Sequence, residues 1–123
     1  MKLEDKLQRA IVDYLELVLP QPHLIFAIPN AAARRNGGRA GNAVPGLRPG
    51  MPDLAFIVDG RTHYIEVKRP KHGKISIEQT STGILIAQCG ANTVFVTTIE
   101  GVRVALRDWG IRTKETIRER VIA

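Results

Sequence analysis

Three residues near the middle of the 123-residue chain are of the types that phosphodiester hydrolysis uses: Asp53, Glu66 and Lys68. They lie on two apolar, strand-like runs, residues 53–58 and 62–68, joined by Asp59-Gly60, a strong signal for a two-residue hairpin turn. With that pair as the loop, Val58 faces Arg61, and the same register carries Asp53 directly opposite Glu66, with Cβ atoms about 5 Å apart. Like charges so placed repel unless a cation reverses the sign of the interaction, and two carboxylates at this spacing can share one metal ion. Lys68, two residues past Glu66, faces the same side. Val67 points the other way, into the core, but its carbonyl lies at the backbone between the two and is a candidate further ligand. Two acids and a lysine on one strand pair suit metal-dependent hydrolysis: the metal polarises the phosphate and activates water, and the lysine orients that water and stabilises developing charge. The competing reading is a solvated hairpin on which Lys68 simply pairs with Glu66. A one-residue slip in register would put the acids on opposite faces.

The elements that must position these residues follow from periodicity. Leu3, Leu7, Ile11, Tyr14, Leu15 and Val18 recur at helical steps, and Pro20 and Pro22 stop that helix. Residues 24–28, LIFAI, read as a short buried strand. After the hairpin, Ser76 is an N-cap with Gln79 at the capping-box position, and the helix runs to about Cys89 before Gly90. Residues 92–97 read as another strand. Thr97 and Glu100 form a second capping box, opening a helix through about Trp109, and residues 113–122 read as a last short helix. The order predicts an α/β fold, a mixed central sheet flanked by helices, in one domain. Between the first two strands, residues 30–50 are rich in Gly, Ala, Asn and Arg without a sustained period, and read as a long basic loop.

Charge points to a polyanion. Residues 34–74 hold nine basic and three acidic residues, whereas the remaining nine basic residues are matched by nine acids, so the whole net charge of +6 sits in one third of the chain. The alternative is an ordinary soluble surface. Arg34, Arg35, Arg39 and Arg48 are expected phosphate contacts, with Gly37 and Gly38 letting backbone approach closely. Arg69, Lys71 and Lys74 flank the acids and are expected to hold phosphates on the far side; His72 shares that segment.

The stretches GLRPGMPDLAFI, THYIEVKRPK and SIEQ resemble the PD-(D/E)xK nuclease superfamily and, more narrowly, the VRR-NUC domain family in the small stand-alone form that phages carry. The G-x-P-D box is Gly50, Met51, Pro52 and Asp53; the E-x-K box is Glu66, Val67 and Lys68; Gln79 follows the basic KRPKHGKIS segment. Glu4 and Gln8 match the E-x-x-x-Q arrangement of the first helix, and Asn30 matches the Asn that often follows the first strand. The likeness spans residues 3 to 110. It implies a restriction-endonuclease-like PD-(D/E)xK core in which Asp53, Glu66 and the Val67 carbonyl hold Mg²⁺ or Mn²⁺, Glu4 reaches the site through water, Lys68 is the catalytic lysine, and Gln79 supports the site. It also implies a homodimer that cuts branched DNA such as four-way (Holliday) junctions. Residues 31–48 depart from the pattern, being loop-like where many relatives carry a helical segment. Gln79 has a second explanation in the helix cap, Glu4 in favourable charge at a helix N-terminus, and Asn30 in a simple turn.

Several classes are disfavoured. Cys89 alone cannot make an internal disulfide or a multi-cysteine zinc site, and it is expected at a buried helix end. His23, His63 and His72 do not form a spaced ligand set; His63 is expected to pack beside Phe56, and Trp109 is expected, separately, in the core, with a dimer contact as the alternative. NGGRAGN lacks the Gly-Lys-Ser/Thr of a phosphate-binding loop. Aromatic residues are 5% of the chain, too sparse for a base-stacking platform. No apolar run approaches the ~20 residues of a membrane span, and the first residues lack the apolar core of a secretory signal, so a cytoplasmic setting is expected. The readings carried forward are a metal-dependent endonuclease on branched DNA, a non-catalytic DNA-binding module, and a nuclease acting on linear, flap or single-stranded DNA.

Overall fold

The apolar stripe of the first segment makes helix α1, Leu3–Val18, in a computed structural model that describes residues 2–29, 44–71 and 73–115. Glu4 and Asp5 sit in its first turn, where the positive end of the helix dipole favours acids. Strands β1 (His23–Ala27), β2 (Leu54–Val58) and β3 (Arg61–Val67) follow, then helix α2 (Ile77–Gln88), strand β4 (Asn92–Val96) and helix α3 (Ile99–Asp108).

The sheet runs β1-β2-β3-β4 in space. β1 pairs with β2 and β2 with β3 antiparallel, whereas β4 joins β3 in parallel, so α2 serves as the crossover that a parallel pair requires. Strand alternation sorts the side chains. Leu54, Phe56, Val58, Ile65, Val67 and Val96 face one side, where they pack with Ile11, Leu15 and Val18 of α1 and Val102 and Leu106 of α3. His63 belongs to this core. Its ring stacks between Phe56 at 4.9 Å and Trp109 at 5.3 Å, as the sequence suggested for His63 and for a core Trp109. α2 packs against β4 and buries only Thr82 and Ile86. Tyr14 O–H donates to Glu115 at 2.9 Å and Arg103 Nε donates to the same carboxylate at 3.2 Å, tying the end of the described chain to α1 and α3.

Three expectations need correction. The LIFAI run is not a buried strand: β1 is an edge strand, with Leu24 and Phe26 58% and 40% exposed. A short apolar run does not distinguish a central strand from an edge. The cap of α3 is Thr98, which accepts from Gly101 N at 3.0 Å, rather than Thr97. Starting one residue later places Glu100 in the first turn, where it pairs with Arg103 instead of closing a capping box. Cys89 ends α2 as foreseen but is exposed, because the helix turns only Thr82 and Ile86 inward. Of the loop expected over 30–50, residues 30–43, with Asn30, Arg34, Arg35, Arg39, Gly37 and Gly38, lie outside the described residues, as do His72 and residues 116–122 of the expected last helix.

Candidate active site

The site lies at the open end of the β2–β3 hairpin, and the turn at the other end sets its register. Asp59 and Gly60 both hold positive φ, 52° and 75°, the handedness that matches the twist of the flanking strands. That turn fixes Val58 opposite Arg61 and Leu54 opposite Ile65. The next step brings Asp53 and Glu66 together, on the sheet face away from the α1–α3 core.

Asp53 lies one residue before β2 and is held from two sides. Its backbone carbonyl accepts from Ile28 N at 2.8 Å, prolonging the β1–β2 ladder, and its Oδ2 accepts from Val67 N at 2.8 Å. The N–H and C=O of one strand residue share an edge of the strand, so the Val67 carbonyl is turned toward the Asp53 side as well. The Val67 side chain is buried in the core, as expected.

Glu66 is 4% exposed. Burial pushes its carboxyl up to about 9, with the hydrogen bond to Asp53 and the Asp53 charge adding to the rise and the Lys68 ammonium opposing it. Two carboxyls in contact inside a low-dielectric site cannot both ionise unaided, so the pair holds a proton or a cation. Lys68 Nζ stands 3.9 Å from Glu66 Oε1, its side chain 16% exposed. Its backbone N–H donates to Val96 O at 2.9 Å, continuing the parallel β3–β4 pairing. Gly73 closes the following turn with a bond from its N–H to Arg69 O at 3.0 Å, and a Cβ there would stand 2.8 Å from Lys68 Cβ and 2.7 Å from Arg69 O.

The first turn of α1 borders this pair. Glu4 adds to the repulsion on Glu66 and forms a 3.9 Å ion pair with Arg69 Nε. Among the described residues no three His, Cys, Asp or Glu side chains form a metal-holding group. Gln79 closes the capping box of α2: its Oε1 accepts from Ser76 N at 3.0 Å, and its N–H donates to Ser76 Oγ at 3.1 Å. The alternative explanation of Gln79 as a cap is therefore realised. Arg48, Lys71 and Lys74 are exposed, and Arg69 is exposed beside Glu4.

Sequence reasoning missed what holds the approach to Asp53. Thr82 Oγ1 donates to Pro49 O at 3.2 Å, and Gly50, at φ +84°, lies against α2 so closely that a Cβ would stand 2.3 Å from Glu78 O. The signals available were a threonine just before the apolar second half of α2 and the glycine of the G-x-P-D box.

In the described residues the architecture is an α/β fold, a mixed four-stranded sheet flanked by three helices, with the acid hairpin at one end. Two solved structures share this particular fold. One, described as "VRR_NUC domain", has a TM-score of 0.60 at 22% identity and covers 85% of this chain and 94% of its own. The other, "VRR_NUC domain protein", has a TM-score of 0.63 at 20% identity and covers 85% and 84%. No family model matches the chain, and no curated protein matches it. The chain thus has the fold of VRR-NUC domains.

Proposed function

We propose that the chain is a nuclease: a divalent-cation-dependent endonuclease that hydrolyses phosphodiester bonds of DNA, acting on branched DNA as a homodimer. The observation that carries the reading is the pairing of half-buried Asp53 with buried Glu66, with Lys68 Nζ 3.9 Å from the Glu66 carboxylate. The VRR-NUC fold of its structural neighbours supports the nuclease class. Preference for four-way junctions, and the dimer, rest on the resemblance of the motif boxes. The two-fold symmetry of a dimer would match that of a junction, with one nick per active site.

The donor set fits Mg²⁺ or Mn²⁺. Two carboxylates and a carbonyl are hard oxygen ligands, and an acid pair that otherwise retains a proton is relieved by a cation. Asp53, Glu66 and the Val67 carbonyl would hold the ion, which when bound supplies Lewis acidity toward the phosphate and an acidified water. Lys68 orients the attacking water and offsets charge that develops on the phosphate oxygens. The water oxygen forms the new bond to phosphorus as the bond to the leaving sugar oxygen breaks, and a proton ends on that oxygen. Gln79 and Glu4 support the site from α2 and α1. Arg48, Arg69, Lys71 and Lys74, together with Arg34, Arg35 and Arg39, are the proposed phosphate contacts, which set register rather than sequence. In the described residues no helix is long and apolar enough to cross a membrane.

A DNA-binding module without catalysis is the second reading. The acid pair weighs against it, because carboxylates turned toward a polyanion weaken binding unless a cation joins them. The test is cleavage of labelled four-way junction, flap, single-strand and linear duplex DNA, with Mg²⁺, with Mn²⁺ and with chelator. Metal-dependent nicking, strongest on the junction, is expected. Cutting that favours linear, flap or single-stranded DNA would replace the substrate class, and tight binding without cutting would establish the module.

A further inference from the structure

α2 buries only two side chains, and one of them is polar. A threonine inside a helix ordinarily turns its hydroxyl to a carbonyl one turn back. Thr82, 4% exposed, instead donates across the fold to the carbonyl of Pro49, 33 residues earlier, at 3.2 Å. The next residue, Gly50, lies on the same helix, with Glu78 O 2.3 Å and Gln79 N 2.9 Å from where a Cβ would stand. The segment entering Asp53 is therefore seated on the first turns of α2 and tethered there by one hydroxyl.

Downstream, Asp53 is bound to β1 through Ile28 N and to β3 through Val67 N. Only Met51 and Pro52 separate the two anchorages, and neither belongs to a strand or helix. With both ends fixed, Met51 and Pro52 connect the α2 anchorage directly to the backbone of Asp53. We infer that Thr82 is a positioning residue for the acid pair: through Pro49 and Gly50 it sets the Asp53 carboxylate for divalent-cation binding. The inference rests on the proposed role of Asp53 and Glu66 as cation ligands.

The test is calorimetric titration of Mn²⁺ into the DNA-free protein for wild type, Thr82→Ser, Thr82→Val and Thr82→Ala, with circular dichroism and Tm recorded on each. Thr82→Ser keeps the hydroxyl and is expected to bind as wild type does. Thr82→Val and Thr82→Ala lose it by different routes, one nearly isosteric and one smaller, so that a folding defect in one leaves the other readable. Both are expected to bind Mn²⁺ about tenfold more weakly, the usual scale for groups that orient metal ligands, and to need correspondingly more Mn²⁺ for cleavage. A role limited to packing would lower Tm and leave Mn²⁺ affinity unchanged; that result overturns the inference. Failure of the wild type itself to bind Mn²⁺ would contradict the nuclease reading and take this inference with it, and the wild-type titration tells the two failures apart.

Discussion

The carboxylate of Asp53 accepts a hydrogen bond from the backbone N–H of Val67 at 2.8 Å, across the open end of the β2–β3 hairpin. This bond does two things. It fixes one oxygen of the first acid, and it brings the residue between Glu66 and Lys68 into the same edge contact. The consequence is an acid pair, with Glu66 buried and Asp53 half-buried, whose charge must be balanced.

Glu66 gives that imbalance a pH signature. Its folded pKa lies above the unfolded carboxyl value of 4.5, at about 9, so between those values the folded state binds more protons than the unfolded one. Stability without divalent cation should fall as pH rises through that window. Glu66→Gln, which cannot ionise, should melt higher than wild type at pH 8.5, with the gap narrowing toward pH 5. Melting curves across pH check this, and a wild type that melts as high as the variant at pH 8.5 would refute it.

A cation and a proton compete for the same carboxyl. The Tm increase caused by millimolar Mn²⁺ should therefore be larger at pH 8 than at pH 6. It should disappear in Asp53→Asn. An equal increase in that variant would place the ion elsewhere.

The two described histidines should titrate on opposite sides of 6.5. Burial holds His63 below it, and the Asn92 amide 3.0 Å from Nδ1 suits a neutral ring. The Glu16 carboxylate, 3.0 Å from Nε2, lifts His23 above it. By linkage His63 costs stability as pH falls through 6.5, when the unfolded chain gains a proton first, whereas His23 contributes stability below 6.5 that is lost as pH rises through its folded pKa. Ring-proton NMR titration reads both directly, and the reverse order would contradict the packing described.

Gly73 and Gln79 separate positioning from folding. Gly73→Ala pushes a methyl against Lys68 Cβ and Arg69 O, so cleavage should fall at least tenfold while Mn²⁺ affinity stays within about twofold. Gln79→Glu keeps the capping box and should stay within about 0.5 kcal/mol of wild-type stability while adding a negative charge in the first turn of α2. Slowed cleavage in that variant supports a role at the site, and unchanged cleavage reduces Gln79 to its cap. Ser76→Ala, which removes the cap itself, should cost about 1 kcal/mol by denaturant unfolding.

Much of the site was legible because one turn determines it. Asp59-Gly60 admits one short hairpin, and once that register is set the placement of Asp53 against Glu66 follows by counting. The Ser76–Gln79 cap was legible for the same local reason. The Thr97-Thr98 pair was ambiguous, since either hydroxyl can cap; in the fold it is Thr98 that accepts from Gly101 N. β1 was misjudged because its apolar residues do not say which of them lacks a covering layer. The Thr82–Pro49 tether is a tertiary contact between a helix and a loop, and no local pattern announces it.

The central claim is that Asp53, Glu66 and Lys68 form a hydrolytic site. Its most direct test is single-turnover cleavage of an end-labelled four-way junction in Mn²⁺ by wild type and Lys68→Ala, side by side at saturating protein. Discrete nicks by the wild type and a loss of at least a hundredfold in rate for the variant, with junction binding retained, are expected. Equal rates for the two proteins, or no cleavage by either while both bind the junction, would contradict it.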